Sequence, residues 1–189
     1  MRLMALLSML ALAGGLVSAE EREQEVAVCI ENDFDAAIQR TQAMTSRMFA
    51  TIGVRIEWLR GQRSCIAAPD SIVIILNTAT PRDYHPGALA FALPNEGKHI
   101  RVFYDRVRKS VGPLTLPALL AHVFAHEIAH LLQGVSRHST TGVMKEHWDT
   151  QDYNQIAFRG LSFTDQDVRL IHLGLETRPF RVAAQAARQ

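Results

Sequence analysis

The spacing of apolar residues along this chain switches between two periods, and the switching predicts strands interleaved with helices. Val26 to Ile30 is a short apolar run that predicts a strand. Asn32 or Asp33 can cap the helix that follows. Phe34, Ala37, Ile38, Met44, Met48 and Phe49 recur at near-helical spacing to about Ile52, and Gly53 ends the run. Val54 to Leu59 then alternates, with Val54, Ile56 and Trp58 on one side and Arg55 and Glu57 on the other, which predicts a strand. Ser71 to Leu76 is continuous and rich in β-branched residues, the pattern of a strand buried on both faces. Ala88 to Leu93 predicts a short strand closed by Pro94-Asn95-Glu96-Gly97. Ile100, Val102 and Tyr104 alternate as another.

The longest apolar segment is helical. Pro113 or Pro117 opens it, and it runs from Leu114 or Ala118 to Leu132. Gly134 stops it, because glycine takes the left-handed conformation that such a stop needs. Leu119, Leu120, Val123, Phe124, Ile128 and Leu131 cover this helix nearly all round, which predicts burial. A last helix runs from a Thr164 cap to about Leu173, with Gly174 as its end. The chain between these two helices reads as irregular. The Ala- and Gln-rich tail, residues 181–189, reads as disordered. No repeat or linker divides the chain. The order predicts a mixed α/β fold, a sheet with helices packed on it, in one domain over residues 20–180.

Composition adds a compartment. Arg2 is followed by an apolar stretch from Leu3 to Leu16 and by the small residues Val17-Ser18-Ala19. That pattern predicts a cleaved signal peptide over residues 1–19, and the stretch is short for a membrane span of about 20 residues. The expected location is therefore secreted or periplasmic, with no stable membrane association. Without Arg2 the chain carries 19 basic and 19 acidic residues. Balanced charge gives no attraction for nucleic acid. Cys29 and Cys65 are the two cysteines, and an oxidising compartment predicts a disulfide between them.

The candidate chemistry lies at the end of the buried helix, in His126-Glu127-Ile128-Ala129-His130. Two histidines four apart on a helix return within about 40° of each other and project together. Neutral imidazole is a good zinc ligand, and three protein ligands leave an open position for water. Buried polar side chains need partners, and a metal supplies one. Glu127, beside the first histidine, is placed to act as general base on that water. His138 is the candidate third ligand, brought back by the turn at Gly134. Glu146, Asp149 and Asp152 are its rivals, because a carboxylate also binds zinc. His122, one turn before His126, reads as a supporting or exposed residue. His85, His99, His147 and His172 have no supporting spacing.

This stretch resembles the metzincin zinc peptidases, most closely their matrixin branch. The likeness is carried by the zinc motif and by His138-Ser139-Thr140-Thr141-Gly142-Val143-Met144, which has the form of the matrixin His-Ser and methionine turn. Gly87 to Pro94 and His99 to Asp105 resemble the matrixin edge strand and the strand after it. Leu161 to Val168 resembles the lead-in to the final helix. The resemblance implies a zincin-like fold: a mostly parallel twisted sheet with an antiparallel edge strand, an active-site helix and a C-terminal helix. It implies one catalytic Zn²⁺ and an exported, matrixin-like endopeptidase acting as a monomer on peptide or protein substrates. Met144 would floor the site, and Ala88, Leu89, Ala90 and Phe91 would pair with an extended substrate. Trp148 and Tyr153 would wall a substrate pocket. The sequence departs from the family in placing two extra residues between His130 and His138, and in carrying Phe91 where matrixins often have a structural-zinc histidine. The competing expectation is a non-catalytic exported zinc-binding module. Glu127 speaks against it, since a structural zinc needs no general base.

Overall fold

The computed structural model describes residues 24–31, 36–81, 84, 86–93 and 96–186. The expected signal peptide, the Asn32 or Asp33 cap, His85 and the Pro94-Asn95 pair lie outside these residues.

A single five-stranded sheet forms the frame, from β1 (Gln24–Ile30), β2 (Val54–Leu59), β3 (Ile72–Asn77), β4 (Ala90–Ala92) and β5 (His99–Phe103). Their order is β2-β1-β3-β5-β4. All neighbours are parallel except the last pair, in which β4 runs antiparallel to β5 with Phe91 opposite Arg101. The mixed sheet with an antiparallel edge strand is as expected. The burial of β3 explains its unbroken apolar sequence: Ile72 and Ile74 on one face are fully buried, and Val73 on the other is buried too, as in a strand covered on both faces.

Helices α1 (Ala36–Ala50) and α4 (Leu116–Gln133) pack together. Polar groups help to join them, because Thr41 and Thr45 donate to the carbonyls of Pro117 and Ala121 at 3.3 and 3.4 Å. Every residue of α4 is buried, and Gly134 caps it in the left-handed conformation with φ 70°. Helix α6 (Asp165–Ala186) packs across α4.

Four expectations need correction. Helix α6 does not end at Gly174 but runs on through it, so most of the tail expected to be disordered is helical backbone. Tyr104 closes no strand, because α3 (Tyr104–Ser110) begins there directly after β5. Two further helices form where the sequence predicts none: α2 (Gln62–Ala67) lies in the polar stretch around Cys65 and Pro69, which reads as a loop, and α5 (Thr150–Phe158) lies in the stretch that reads as irregular. Each of α3 and α5 buries one side chain, Val107 and Ile156, so neither has a periodic apolar face to read. Cys29 on β1 and Cys65 on α2 are joined as a disulfide with Cα atoms 5.8 Å apart. No helix among the described residues is long and apolar enough to cross a membrane.

Candidate metal centre

His126 and His130 project from the same face of α4, and the turn at Gly134 returns His138 to meet them. His130 Nε2 lies 3.0 Å from His126 Nε2 and 3.2 Å from His138 Nε2. The outer nitrogens decide what these contacts are. His126 Nδ1 faces the Val143 carbonyl at 2.8 Å, and His130 Nδ1 faces the Val135 carbonyl at 3.3 Å. A carbonyl only accepts, so each Nδ1 carries the proton and each Nε2 presents a lone pair. Lone pairs on His126 and His130 therefore point at one another with no proton between them. That arrangement is repulsive unless a cation occupies the centre. The spacing fits one: nitrogens about 2.0–2.1 Å from a tetrahedral zinc are roughly 3.3 Å apart. The three imidazoles thus form a set that can hold one zinc ion.

Electrostatics agree. Burial, then the neighbouring His130, pushes His126 down to about 3. Burial likewise pushes His130 down to about 4. Both rings stay neutral near pH 7, the form that binds metal. Glu127 is 7% exposed, and burial pushes its carboxyl up to about 8, opposed by a hydrogen bond from the backbone N–H of Ala92 on β4. A bound cation would draw that carboxyl back towards its charged form.

The two extra residues before His138 are absorbed without disturbing the cluster. The Gly134 N–H donates to the His130 carbonyl at 2.9 Å, and the next residue, Val135, supplies the carbonyl that orients the His130 ring. Among the rivals to His138, Asp149 instead caps α5, accepting from the N–H groups of Gln151 and Asp152. Lys145 donates to Asp149 at 2.6 Å and to Asp152 at 2.5 Å. Glu146 is exposed and lies 3.9 Å from His147. None of these carboxylates joins the histidine cluster.

Met144, expected to floor the site, is wholly buried. Its carbonyl accepts the Ser139 N–H at 2.7 Å, and the Val143 N–H donates to Ser162 at 3.0 Å. Gly142 enters this turn at φ 78°, and a Cβ there would sit 2.3 Å from the Ser162 oxygen, so the turn needs glycine.

An open cleft of about 760 Å³ lies over the histidines. The expected substrate strand, Ala88, Leu89, Ala90 and Phe91, lines one wall, and Trp148 and Tyr153 line it too. Strand β4 is the sheet edge, so it has a partner strand on one side only. Phe91 stacks on Tyr84 at 5.3 Å and tilts against Phe103 at 6.0 Å.

His122 is neither exposed nor part of the cluster. It is 1% exposed, its Nδ1 faces the Ala118 carbonyl at 2.7 Å, and its Nε2 accepts the Leu161 N–H at 2.8 Å. Burial lowers its pKa from the ordinary 6.5. A proton on Nε2 would set N–H against N–H. The unfolded chain takes up that proton as pH falls below about 6.5, and the folded chain resists it. This contribution to stability is therefore complete above about pH 6.5 and is lost as pH falls below it. The thermal midpoint of the metal-free protein should fall between pH 7 and pH 5. A flat midpoint across that range would contradict the assignment.

Sequence reasoning missed Asp167, a fully buried carboxylate that joins the His138 loop to α6. Burial raises its pKa, but hydrogen bonds led by those from Ser139 and Thr164 win and hold it below the ordinary value. The Thr164-x-x-Asp167 spacing of a capping box was the available signal.

The sheet order, the buried helix and the three-histidine cluster together make a zincin-like scaffold with a cluster that could hold a metal ion. No protein-family model matches the chain, and no curated protein is similar to it in sequence. Among solved structures, the chain is similar to archaemetzincin from Methanopyrus kandleri, with 12% identity and a TM-score of 0.54. That likeness covers 85% of this chain and 99% of the other. At this identity it is a likeness of fold.

Proposed function

We propose that the chain is an exported zinc-dependent endopeptidase of the metzincin type, with a matrixin-like arrangement around the metal. The observation that carries the reading is the position of Glu127. It is buried, and it lines the same cleft as the three imidazoles and the sheet edge. A cluster that only stapled the fold would not leave a general base facing an open cleft.

His126, His130 and His138 would hold the ion, which when bound polarises the scissile carbonyl and lowers the pKa of water to about 7 in good cases. The edge of β4 would bind the peptide in extended form, its backbone pairing with Ala90 and its neighbours. Glu127 would take one proton from the attacking water as its oxygen bonds to the scissile carbon, and return that proton to the amine nitrogen as the C–N bond breaks. Met144 would pack beneath the site. The apolar leader and the Cys29–Cys65 disulfide support export to an oxidising compartment.

The test is metal analysis of the purified chain together with cleavage of a complex peptide library read by mass spectrometry. One equivalent of zinc and chelator-sensitive cleavage at internal peptide bonds is the expected result. Zinc without cleavage would instead assign a binding module, and no zinc would sink the reading.

A further inference from the structure

The three histidines are not oriented in the same way. His126 and His130 are each fixed by a hydrogen bond from their own outer nitrogen, to Val143 and Val135. The His138 ring has no such carbonyl among the described residues, and it is the exposed member of the cluster. Its two neighbours in the chain, however, are both held by one carboxylate. Asp167 Oδ1 accepts from Arg137 Nη1 at 3.0 Å and from Ser139 Oγ at 2.6 Å. The other oxygen, Oδ2, accepts from the backbone N–H and the hydroxyl of Thr164, at 2.9 and 2.6 Å. Arg137 also donates to Gln166 at 2.8 Å. One oxygen therefore grips the loop on both sides of His138, while the other is fixed to the start of α6.

We propose that Asp167 is the positioning residue of the third histidine: through Arg137 and Ser139 it holds His138 in register with His126 and His130. The inference rests on the metal-centre reading. Its physical basis is burial. Asp167 is 0% exposed, so it cannot trade these donors for water, and a buried carboxylate without them is costly. Releasing either neighbour leaves the backbone that carries His138 held on one side only, by the Ser139 N–H bond to Met144, and nothing on its own ring replaces the lost constraint. Two ligands would remain ordered and the third would not.

The experiment measures zinc affinity by competition with a chromophoric chelator, and the visible spectrum of the cobalt-substituted protein. It compares the wild type with Arg137→Ala, Ser139→Ala, Arg137→Lys and Asp167→Asn. Thermal unfolding of each metal-free protein checks folding. Arg137→Ala and Ser139→Ala should weaken zinc binding by about 10- to 100-fold, the range for residues that orient a ligand. Their cobalt spectra should move towards higher coordination as water replaces His138. Arg137→Lys keeps a cation opposite Asp167 and should recover most of the affinity. Should Asp167→Asn fail to fold, the two alanine variants decide the matter alone. Alanine variants that bind zinc as the wild type does, with unchanged cobalt spectra, overturn the inference and leave the metal centre standing. A wild type that binds no zinc overturns both.

Discussion

Glu127→Gln is expected to lower peptide hydrolysis by about 10²- to 10⁴-fold, the usual contribution of a positioned general acid–base group, while one zinc ion stays bound. The two effects separate because Glu127 lies beside the histidine cluster without belonging to it. Glutamine keeps the length of the side chain and an oxygen that can accept the Ala92 N–H, but it cannot take a proton from water. Stability should hold or rise. The wild-type carboxyl is pushed up to about 8 by burial. Replacing it with a neutral amide removes a group whose charged form the site disfavours in the absence of metal. The measurement is kcat on a cleaved library peptide, with zinc content and thermal midpoint determined on the same sample. Cleavage at the wild-type rate would remove Glu127 from the mechanism. Lost zinc would mean that the carboxylate is a ligand.

Different physics set what the sequence reveals here and what it hides. The histidine cluster was legible because helix geometry and one glycine stop bring together histidines that are close in the chain. The long strands and α4 were legible because deep burial leaves apolar runs with a clear period. Helix α5 shows no such run, since Ile156 is its one buried residue, and its signal is the Asp149 capping box instead. Helix α3 follows β5 with no intervening loop and buries only Val107, so its first turn reads as the end of a strand. The partners of His138 were hidden for another reason. Asp167 lies 30 residues from Arg137 and 28 from Ser139, and only tertiary packing brings them together. The spacing of His122, one turn from His126, left a supporting and an exposed reading open, and burial with its bond to Leu161 decides against exposure.

Gly174 is the position where sequence punctuation and structure diverge most, and Gly174→Ala should be among the most damaging single-methyl changes in the chain. Glycine after an apolar helical run normally marks its end. Here the helix continues through it to Ala186, so the glycine answers another need. A Cβ at Gly174 would lie 1.8 Å from the carbonyl oxygen of Leu132 and 2.7 Å from its carbon, with Gln133 Cα at 3.0 Å. These are backbone atoms of α4, which cannot rotate aside as a side chain would. Within an isolated helix, alanine would gain about 1 kcal/mol over glycine. Overpacking a tight contact costs about 1–3 kcal/mol and occasionally more, and a clash with rigid backbone belongs at the upper end. The net expectation is a loss of about 2 kcal/mol or more, with α6 pushed off the final turn of α4. That turn follows His130, and α6 also carries Asp167, so the same methyl group should weaken zinc binding at a distance. Gly112→Ala is the matched control, because a Cβ there meets nothing within 4 Å. Denaturant unfolding of the two variants decides the matter: a Gly174→Ala midpoint equal to that of Gly112→Ala would show that the two helices do not approach so closely.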